Sequence, residues 1–142
     1  MDSSDPFLIE VGISDHKGVV KPSMQDKYRQ VEEFLRILEP SLPAKKEKLS
    51  IVDLGCGHAY LTFATHQYLR KAGIDARVIG VDVRENSRDR NNKIAKKLGI
   101  TDSIEFRAEE ISDTAIKSAD IAIALHACDT ATDDAIAWGV LN

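Results

Sequence analysis

Apolar side chains recur at helical spacing between Ser23 and Pro40, in the segment SMQDKYRQVEEFLRILEP. The residues on this repeating face are Met24, Tyr28, Val31, Phe34, Leu35 and Leu38. A repeat of about 3.6 residues is typical of a helix that buries one face. Ser23 is a common helix cap and Pro40 a common helix stop, so we predict an amphipathic helix between them.

After residue 48 the chain follows one rhythm of strand, loop and helix. Apolar runs predict strands near residues 49–54, 77–82, 103–107 and 119–125. Amphipathic segments predict helices near residues 59–72, 86–98 and 131–139. Strands that alternate with helices of this length form a parallel sheet through right-handed crossovers. The predicted fold class is therefore α/β, with a doubly wound parallel sheet and helices on both faces.

Composition limits the chain to one ordinary domain. It has 142 residues, of which 43% are hydrophobic and 30% are charged, as in a globular protein with a single core. Residues 1–22 are mixed in character and contain Gly12, Gly18 and Pro22, so we expect an irregular N-terminal lead-in. We expect residues 23–142 to form the domain itself.

Net charge and the search for targeting signals limit the kinds of partner that the sequence predicts. A net charge of -4 and a pI near 5.5 argue against a broad nucleic-acid-binding surface. No segment approaches the roughly 18 apolar residues of a membrane span, and the start of the chain lacks the features of a signal peptide. We expect a cytoplasmic protein that has no membrane partner. Cys56 and Cys128 have no zinc-finger spacing, and we expect reduced thiols and no metal.

The segment IVDLGCGHAYLTF, residues 51–63, carries the first chemical signal. A dinucleotide-binding loop needs a third small residue after its G-x-G pair, but Tyr60 stands at that position. Asp53 would also repel a phosphate. Both features suit an adenosine ligand that has a cationic centre and no phosphate, because a carboxylate favours ammonium and sulfonium charges. S-adenosylmethionine fits this description.

A second acid supports an adenosine ligand. Asp82 ends the predicted strand RVIGVD, 25 residues after Gly57. In doubly wound sheets an acidic side chain at this place accepts hydrogen bonds from the ribose hydroxyls. Strand, D-x-G-x-G, helix, strand and terminal acid in this order form a far more specific signal than a lone G-x-G. Acids that are merely solvated at strand ends are the structural alternative.

Together these residues resemble class I, seven-stranded S-adenosylmethionine-dependent methyltransferases. The resemblance rests on VDLGCGHAYLTF, VIGVDV, IEFRAEEI and ADIAIALHACDTATDDAI, and extends from about Lys27 to Trp138. More narrowly, LHACDTATD resembles one methyltransferase-like branch of that superfamily. The resemblance implies a Rossmann-like sheet of order 3-2-1-4. It assigns cofactor binding to Asp53, Gly55, Cys56, Gly57, Asp82, Val83, Glu110, Ile111 and His126.

Within that set the roles differ. The resemblance implies that Asp53, Gly55 and Gly57 hold the methionine half of the cofactor and that Asp82 holds the ribose. Glu110 and Ile111 are expected at the adenine edge. Glu109 is the alternative to Glu110 as the adenine-contacting acid.

Catalytic groups are expected after the fourth strand, in LHACDTATDD. His126 or Asp129 can accept a proton from the nucleophile that attacks the methyl group. A structural role is the alternative, since Thr130 or Thr132 can cap the next helix and nearby acids favour its N-terminus. A second alternative concerns the basic stretch VRENSRDRNNKIAKK, which predicts a solvated helix face or, less simply, a patch that faces RNA.

The resemblance also implies that this chain holds only the N-terminal, cofactor-binding part of such a domain, without strands 5–7. An uncovered fourth strand, IAIAL, would leave an open edge, so we expect self-association through it. The primary functional prediction is a methyltransferase that acts on an unidentified acceptor, with RNA or protein among the candidates. The alternative is a module that binds S-adenosylmethionine or S-adenosylhomocysteine without turnover, and a nicotinamide dehydrogenase ranks third.

Overall fold

The computed structural model describes residues 1–42, 48–109, 119–125 and 136–140. Its helices are α1 (Pro6–Glu10), α2 (Gln25–Leu38), α3 (Tyr60–Lys71) and α4 (Glu85–Leu98). Its strands are β1 (Lys48–Leu54), β2 (Asp75–Asp82), β3 (Ile104–Ala108), β4 (Ile121–Leu125) and β5 (Ile136–Val140). Single 3-10 turns lie at Pro22–Met24 and Glu39–Ser41. No helix in these ranges is long and apolar enough to cross a membrane.

The five strands form one sheet of order β3-β2-β1-β4-β5. The first four are parallel, and β1 lies between β2 and β4, with Ile51 paired to Val78 on one side and to Ile121 on the other. This confirms the predicted α/β class and the order 3-2-1-4. Because β1 has neighbours on both edges, its apolar residues fill the centre of the sheet.

Helices pack on the sheet because their apolar faces and the inward strand residues form one core. The largest fully buried side chains of this core include Phe34, Phe63, Leu49, Ile51 and Ile121. On the opposite face, Val52, Val81 and Ala119 form a smaller apolar cluster. Strand residues alternate between the two faces of the sheet, so Asp53, two residues after Ile51, lies on the same face as Ile51. This is the face on which the main core packs.

Strand β5 corrects two expectations. We predicted a helix over 131–139, but Ile136–Val140 is a strand that pairs antiparallel with β4, so the prediction is wrong for residues 136–139. Residues 131–135 lie outside the described residues. Because β5 covers the outer edge of β4, the expected open edge of the fourth strand is also wrong. The self-association inferred from that edge therefore loses its structural basis.

The lead-in is more ordered than its sequence suggests. Phe7, Leu8, Val11 and Ile13 are buried and belong to the main core. These apolar positions lie in and just after a five-residue helix, too short for a clear periodic signal. Ion pairs also join the lead-in to later helices: Lys71 Nζ lies 2.8 Å from Asp5 Oδ2, Lys97 Nζ lies 3.2 Å from Glu10 Oε2, and the amino group of Met1 lies 3.8 Å from Glu32 Oε2.

The predicted helix after the lead-in is confirmed, with one local difference. Ser23 lies inside the 3-10 turn that precedes α2, and the residue at the helix N-cap is Met24. No side chain donates or accepts a capping hydrogen bond there. The apolar face predicted from the sequence still packs inward, since Val31, Phe34 and Leu38 are buried.

Candidate functional site

The loop between β1 and α3 turns sharply through left-handed backbone. Gly55 has φ +73° and Gly57 has φ +54°, a region that glycine enters without a Cβ penalty. Ala59, the residue before α3, also has positive φ, 62°. A Cβ built on Gly55 would meet nothing within 4 Å, so open space lies above that residue. The carboxyl end of β1 is therefore approachable at Gly55.

Backbone N–H groups of this loop are already in use. Gly55 N and Cys56 N both donate to the carbonyl oxygen of Val81, at 2.7 and 3.0 Å. Gly57 N donates to Asp82 Oδ2 at 2.9 Å. Phosphate-binding loops hold their ligand with free N–H groups. These three N–H groups bind β2 instead, so this stretch of the loop is not arranged as a phosphate cradle.

Asp53 lies near the carboxyl end of β1 and is only 3% exposed. The Thr62 hydroxyl, one turn into α3, donates to Asp53 Oδ2 at 2.6 Å. Burial raises the pKa of Asp53 to about 7; the Thr62 hydrogen bond opposes this effect, and the charge of Asp82 adds to it. Near neutral pH, Asp53 is therefore poised between its protonated and ionised forms.

Asp82 ends β2 on the same face of the sheet as Asp53, but its surroundings favour the ionised form. Its Oδ1 accepts from Arg84 N and Arg84 Nε, both at 2.9 Å. Its Oδ2 accepts from Gly57 N at 2.9 Å and from Arg84 Nη2 at 3.1 Å. The hydrogen bonds from the Arg84 side chain, joined by those from the two backbone N–H groups, lower the pKa of Asp82 to about 2 against the effect of burial. Asp82 is an ionised carboxylate throughout the physiological range.

Cys56 lies between the two acids. Burial and the charges of Asp53 and Asp82 raise the pKa of the Cys56 thiol to about 12. The thiol is therefore protonated, which excludes a thiolate nucleophile here. Its side chain lies over Gly80 of β2, where an added Cβ would come within 3.1 Å of Cys56 Sγ and 2.6 Å of the Phe106 ring.

A positively charged rim borders the loop on the side of the helices. The His58 ring stacks on the Tyr60 ring, with centroids 5.6 Å apart, and Lys27 Nζ lies 5.5 Å from the Tyr60 centroid. Arg90 Nη1 contacts His58 Nδ1. Burial, then the positive charges of Arg90, Arg84 and Lys27, lower the pKa of His58. This side chain is therefore neutral at pH 7.

Most of the basic residues predicted along α4 fall into two groups. Arg84, Arg88 and Lys97 form ion pairs with Asp82, Asp89 and Glu10. Arg90 belongs to the rim at His58. These contacts favour the simpler interpretation of a solvated, paired helix face, and the RNA-facing patch stays a prediction.

The structure brings together six of the predicted cofactor residues. Asp53, Gly55, Cys56, Gly57, Asp82 and Val83 all lie at the carboxyl ends of β1 and β2 or in the segments that follow them. Val83 is 67% exposed. Glu110, Ile111, His126 and Asp129 lie outside the described residues. Glu109 N donates to the carbonyl oxygen of Asp82 at 3.0 Å, so the end of β3 adjoins this edge.

Three site residues were missed by the sequence reasoning. Thr62 binds Asp53, Arg84 binds Asp82, and the Asn91 side chain donates to the carbonyl oxygen of Gly57 at 2.9 Å. The spacing of Arg84, two residues after a strand-ending acid, is a usable signal, since the chain turns back on the acid there. Thr62 and Asn91 give no comparable signal in the sequence. Among the described residues, no group of three His, Cys, Asp or Glu side chains could hold a metal ion.

Fold and site together define a Rossmann-like domain with an acid at the end of each central strand. The chain belongs to a family described as a methyltransferase domain, whose model matches residues 26–142. This supports the broad class of the predicted resemblance. The narrower branch inferred from LHACDTATD stays a prediction.

Solved structures share the fold. YcgJ from Bacillus subtilis is 16% identical with a TM-score of 0.52, and the match covers 70% of this chain and 38% of that one. An RNA methyltransferase from Salinibacter ruber, solved with S-adenosyl-L-homocysteine, is 22% identical with a TM-score of 0.51 and covers 67% and 56%. This chain therefore spans well under two thirds of either protein. No curated protein sequence matches it.

Proposed function

We propose that this domain binds S-adenosylmethionine at the carboxyl ends of β1 and β2 and serves as the cofactor-binding part of a methyltransferase. S-adenosylmethionine is the cofactor that membership in a methyltransferase-domain family implies. The observation that carries the proposal is the pair of acids around a loop whose N–H groups bind β2. Such an edge repels phosphate and suits a phosphate-free, cationic adenosine compound.

Each part of the site has a role in this proposal. The open space above Gly55 would admit the methionine half, and Asp53, near the carboxyl end of β1, would favour the positive charges of that half. Asp82 accepts the ribose hydroxyls. The exposed side chain of Val83 offers an apolar surface to the adenine ring. Glu110 and Ile111, with Glu109 as the alternative acid, are proposed to complete the adenine edge.

Methyl transfer needs little covalent chemistry from the protein. When bound, S-adenosylmethionine would supply an electrophilic methyl group for in-line transfer to a lone pair of the acceptor, with the electron pair of the broken carbon–sulfur bond kept on sulfur. This chain positions the two reactants, which is the larger part of such catalysis. His126 or Asp129 is proposed as the group that takes a proton from the acceptor, and His126 also as a cofactor contact.

The acceptor is unidentified, and RNA and protein are both candidates. Binding of S-adenosylmethionine or S-adenosylhomocysteine without turnover is the alternative function. Both functions share the same cofactor site. A nicotinamide dehydrogenase loses support because Gly55, Cys56 and Gly57 offer no free N–H group to a pyrophosphate.

Calorimetric titration with S-adenosylhomocysteine tests the shared site, with NADH as the comparison ligand. We expect saturable binding of S-adenosylhomocysteine and none of NADH. Asp82→Asn keeps the shape of the side chain and should weaken binding, whereas Asp89→Asn, an exposed acid on α4, is the matched control that should not. Equal binding of both ligands, or no loss in Asp82→Asn, would contradict the proposal. Circular dichroism of each variant confirms that it is folded.

A further inference from the structure

We infer that Arg84 competes with the ribose of an adenosine ligand for the carboxylate of Asp82, and that its release sets the affinity of the site. The inference rests on the proposed function, because it concerns the same ligand. It assigns an affinity-setting role to Arg84, a residue of the basic stretch that the sequence predicted to be a solvated helix face.

The donors around Asp82 leave no room for additional hydrogen bonds. A carboxylate has about four lone-pair positions. Gly57 N, Arg84 N, Arg84 Nε and Arg84 Nη2 provide four donors, at 2.9, 2.9, 2.9 and 3.1 Å. A ribose diol can therefore bind Asp82 only in place of donors that are already there.

Two of the four donors are fixed and two can leave. Gly57 N and Arg84 N belong to the main chain, in the loop after β1 and just before α4, so neither can leave Asp82 without a change of backbone conformation. Arg84 Nε and Nη2 sit at the end of a long side chain. That side chain is 65% exposed, whereas the Asp82 side chain is 6% exposed. The guanidinium of Arg84 is thus the group that leaves Asp82 when a ribose binds.

The Arg84 guanidinium and a ribose offer Asp82 the same number of donors in a comparable geometry. The guanidinium edge presents two neighbouring N–H donors to the two carboxylate oxygens, a bidentate arrangement. The vicinal hydroxyls of a ribose present two neighbouring O–H donors to the same oxygens. Within the described residues, Arg84 forms no other ion pair that would hold it near the site after release. Ligand binding therefore exchanges two hydrogen bonds for two and loses an ion pair.

Gly57 adds a steric element to this arrangement. A Cβ at Gly57 would lie 3.3 Å from Arg84 Nη2, so a larger residue there would require the guanidinium to shift by a few tenths of an ångström. The same residue has left-handed backbone and donates its N–H to Asp82. Gly57 therefore orders both the carboxylate and its internal competitor.

The test measures S-adenosylhomocysteine affinity of the whole chain in Arg84→Ala, Arg84→Met and Arg84→Lys. We expect binding about threefold to tenfold tighter in Arg84→Ala and Arg84→Met, because no ion pair has to break. Arg84→Lys, which has a single charged nitrogen, should fall between them and the wild type. Arg88→Ala removes the arginine that pairs with Asp89 in the first turn of α4, and it should leave affinity unchanged.

A double-mutant cycle separates competition from a general electrostatic effect. In an Asp82→Asn background, Arg84→Ala should change affinity by less than about 1.5-fold, since the contested carboxylate is gone. Adenosine and 2′,3′-dideoxyadenosine provide a ligand control, and only adenosine should gain affinity from Arg84→Ala. Weaker or unchanged S-adenosylhomocysteine binding in folded Arg84→Ala and Arg84→Met would overturn this inference while the proposed function stands. Absence of binding in every protein, wild type included, would overturn both.

Discussion

The ends of β1 and β2 carry two carboxyl groups that share almost everything except their donors. Asp53 and Asp82 lie on the same face of neighbouring parallel strands, and they are 3% and 6% exposed. Yet the pKa of Asp53 is raised to about 7 and that of Asp82 is lowered to about 2. Burial disfavours both charges, but it is the largest effect only at Asp53, whereas hydrogen bonds outweigh it at Asp82.

The groups that donate to each carboxyl account for the rest of the difference. Asp53 has a neutral hydroxyl from Thr62, whereas Asp82 has two backbone N–H groups and a guanidinium. Charged and multiple donors stabilise an ionised carboxylate much more than one neutral donor does. A position at the end of a central strand therefore does not by itself determine protonation; the depth of burial and the immediate donors do. Variants that alter these neighbours test the contrast directly.

The largest expected effect is on ligand affinity at the β2 end. Asp82→Ala removes the acceptor of the ribose hydroxyls and leaves Gly57 N without its partner. We expect S-adenosylhomocysteine to bind at least about tenfold more weakly, because buried polar groups that lose their partners are costly. Calorimetric titration measures this, with Asp89→Ala as the control. A loss of equal size in both variants would show that charge in general, rather than this site, is responsible.

The next effect concerns the residue that separates the two acids. Gly80 pairs with Asp53 in the sheet register, and a Cβ there would lie 2.6 Å from the Phe106 ring. Phe106 packs on Phe63 in the core, so it cannot move freely. We expect Gly80→Ala to lower the free energy of unfolding by about 1 to 3 kcal/mol. Urea denaturation measures the change, and full stability in this variant would contradict the packing described here.

A third prediction uses pH to separate the acids. Because the pKa of folded Asp53 is about 7 and its ordinary value is 3.8, the unfolded chain ionises first as pH rises. Asp53 therefore lowers stability progressively between about pH 4 and pH 7, and it adds no further pH dependence above that range. Asp53→Asn, which still accepts from Thr62, should therefore gain little over the wild type near pH 4 and progressively more as pH rises, reaching at least about 1 to 2 kcal/mol by pH 7.

Thermal unfolding at a series of pH values checks this prediction. The Asp82 carboxyl gives the opposite sign, because its folded pKa of about 2 lies below 3.8. Its stabilisation is present above about pH 4 and is lost as pH falls towards 2. Asp82→Asn should therefore show a weaker acid transition than the wild type. If both variants moved in the same direction over the same pH range, the contrast between the two acids would be wrong.

The smallest effect isolates a single hydrogen bond. Thr62→Val keeps the shape of the side chain but removes the donor to Asp53 Oδ2. Since this hydrogen bond opposes the effect of burial, its loss should raise the pKa of Asp53 above about 7. Carboxyl carbon NMR shifts followed through a pH titration measure the change. An unchanged pKa of Asp53 in this variant would mean that burial and the charge of Asp82 alone determine its protonation.

Much of the fold was predictable because its signals are local. The bounds predicted for β1, β2, β3 and β4 agree with the structure to within about two residues, as do those of α3 and α4. Each is a run of apolar or amphipathic residues with polar ends. The antiparallel strand β5 was not predictable in this way, since IAWGV is apolar enough for a helix or a strand. Pairing with β4 decides its conformation, and that contact is not local.

The candidate site shows the same division between what local signals predict and what non-local contacts decide. Spacing alone placed Asp53, Gly55, Gly57 and Asp82 at one edge, because the carboxyl ends of parallel strands meet there. Tertiary structure decided the rest: which carboxyl is ionised, which N–H groups are in use, and that Arg84 lies on Asp82. These outcomes depend on donors brought together across the strand–helix junction. The sequence thus determined the class of fold and the residue types at its active edge, whereas three-dimensional proximity determined their charge and their partners.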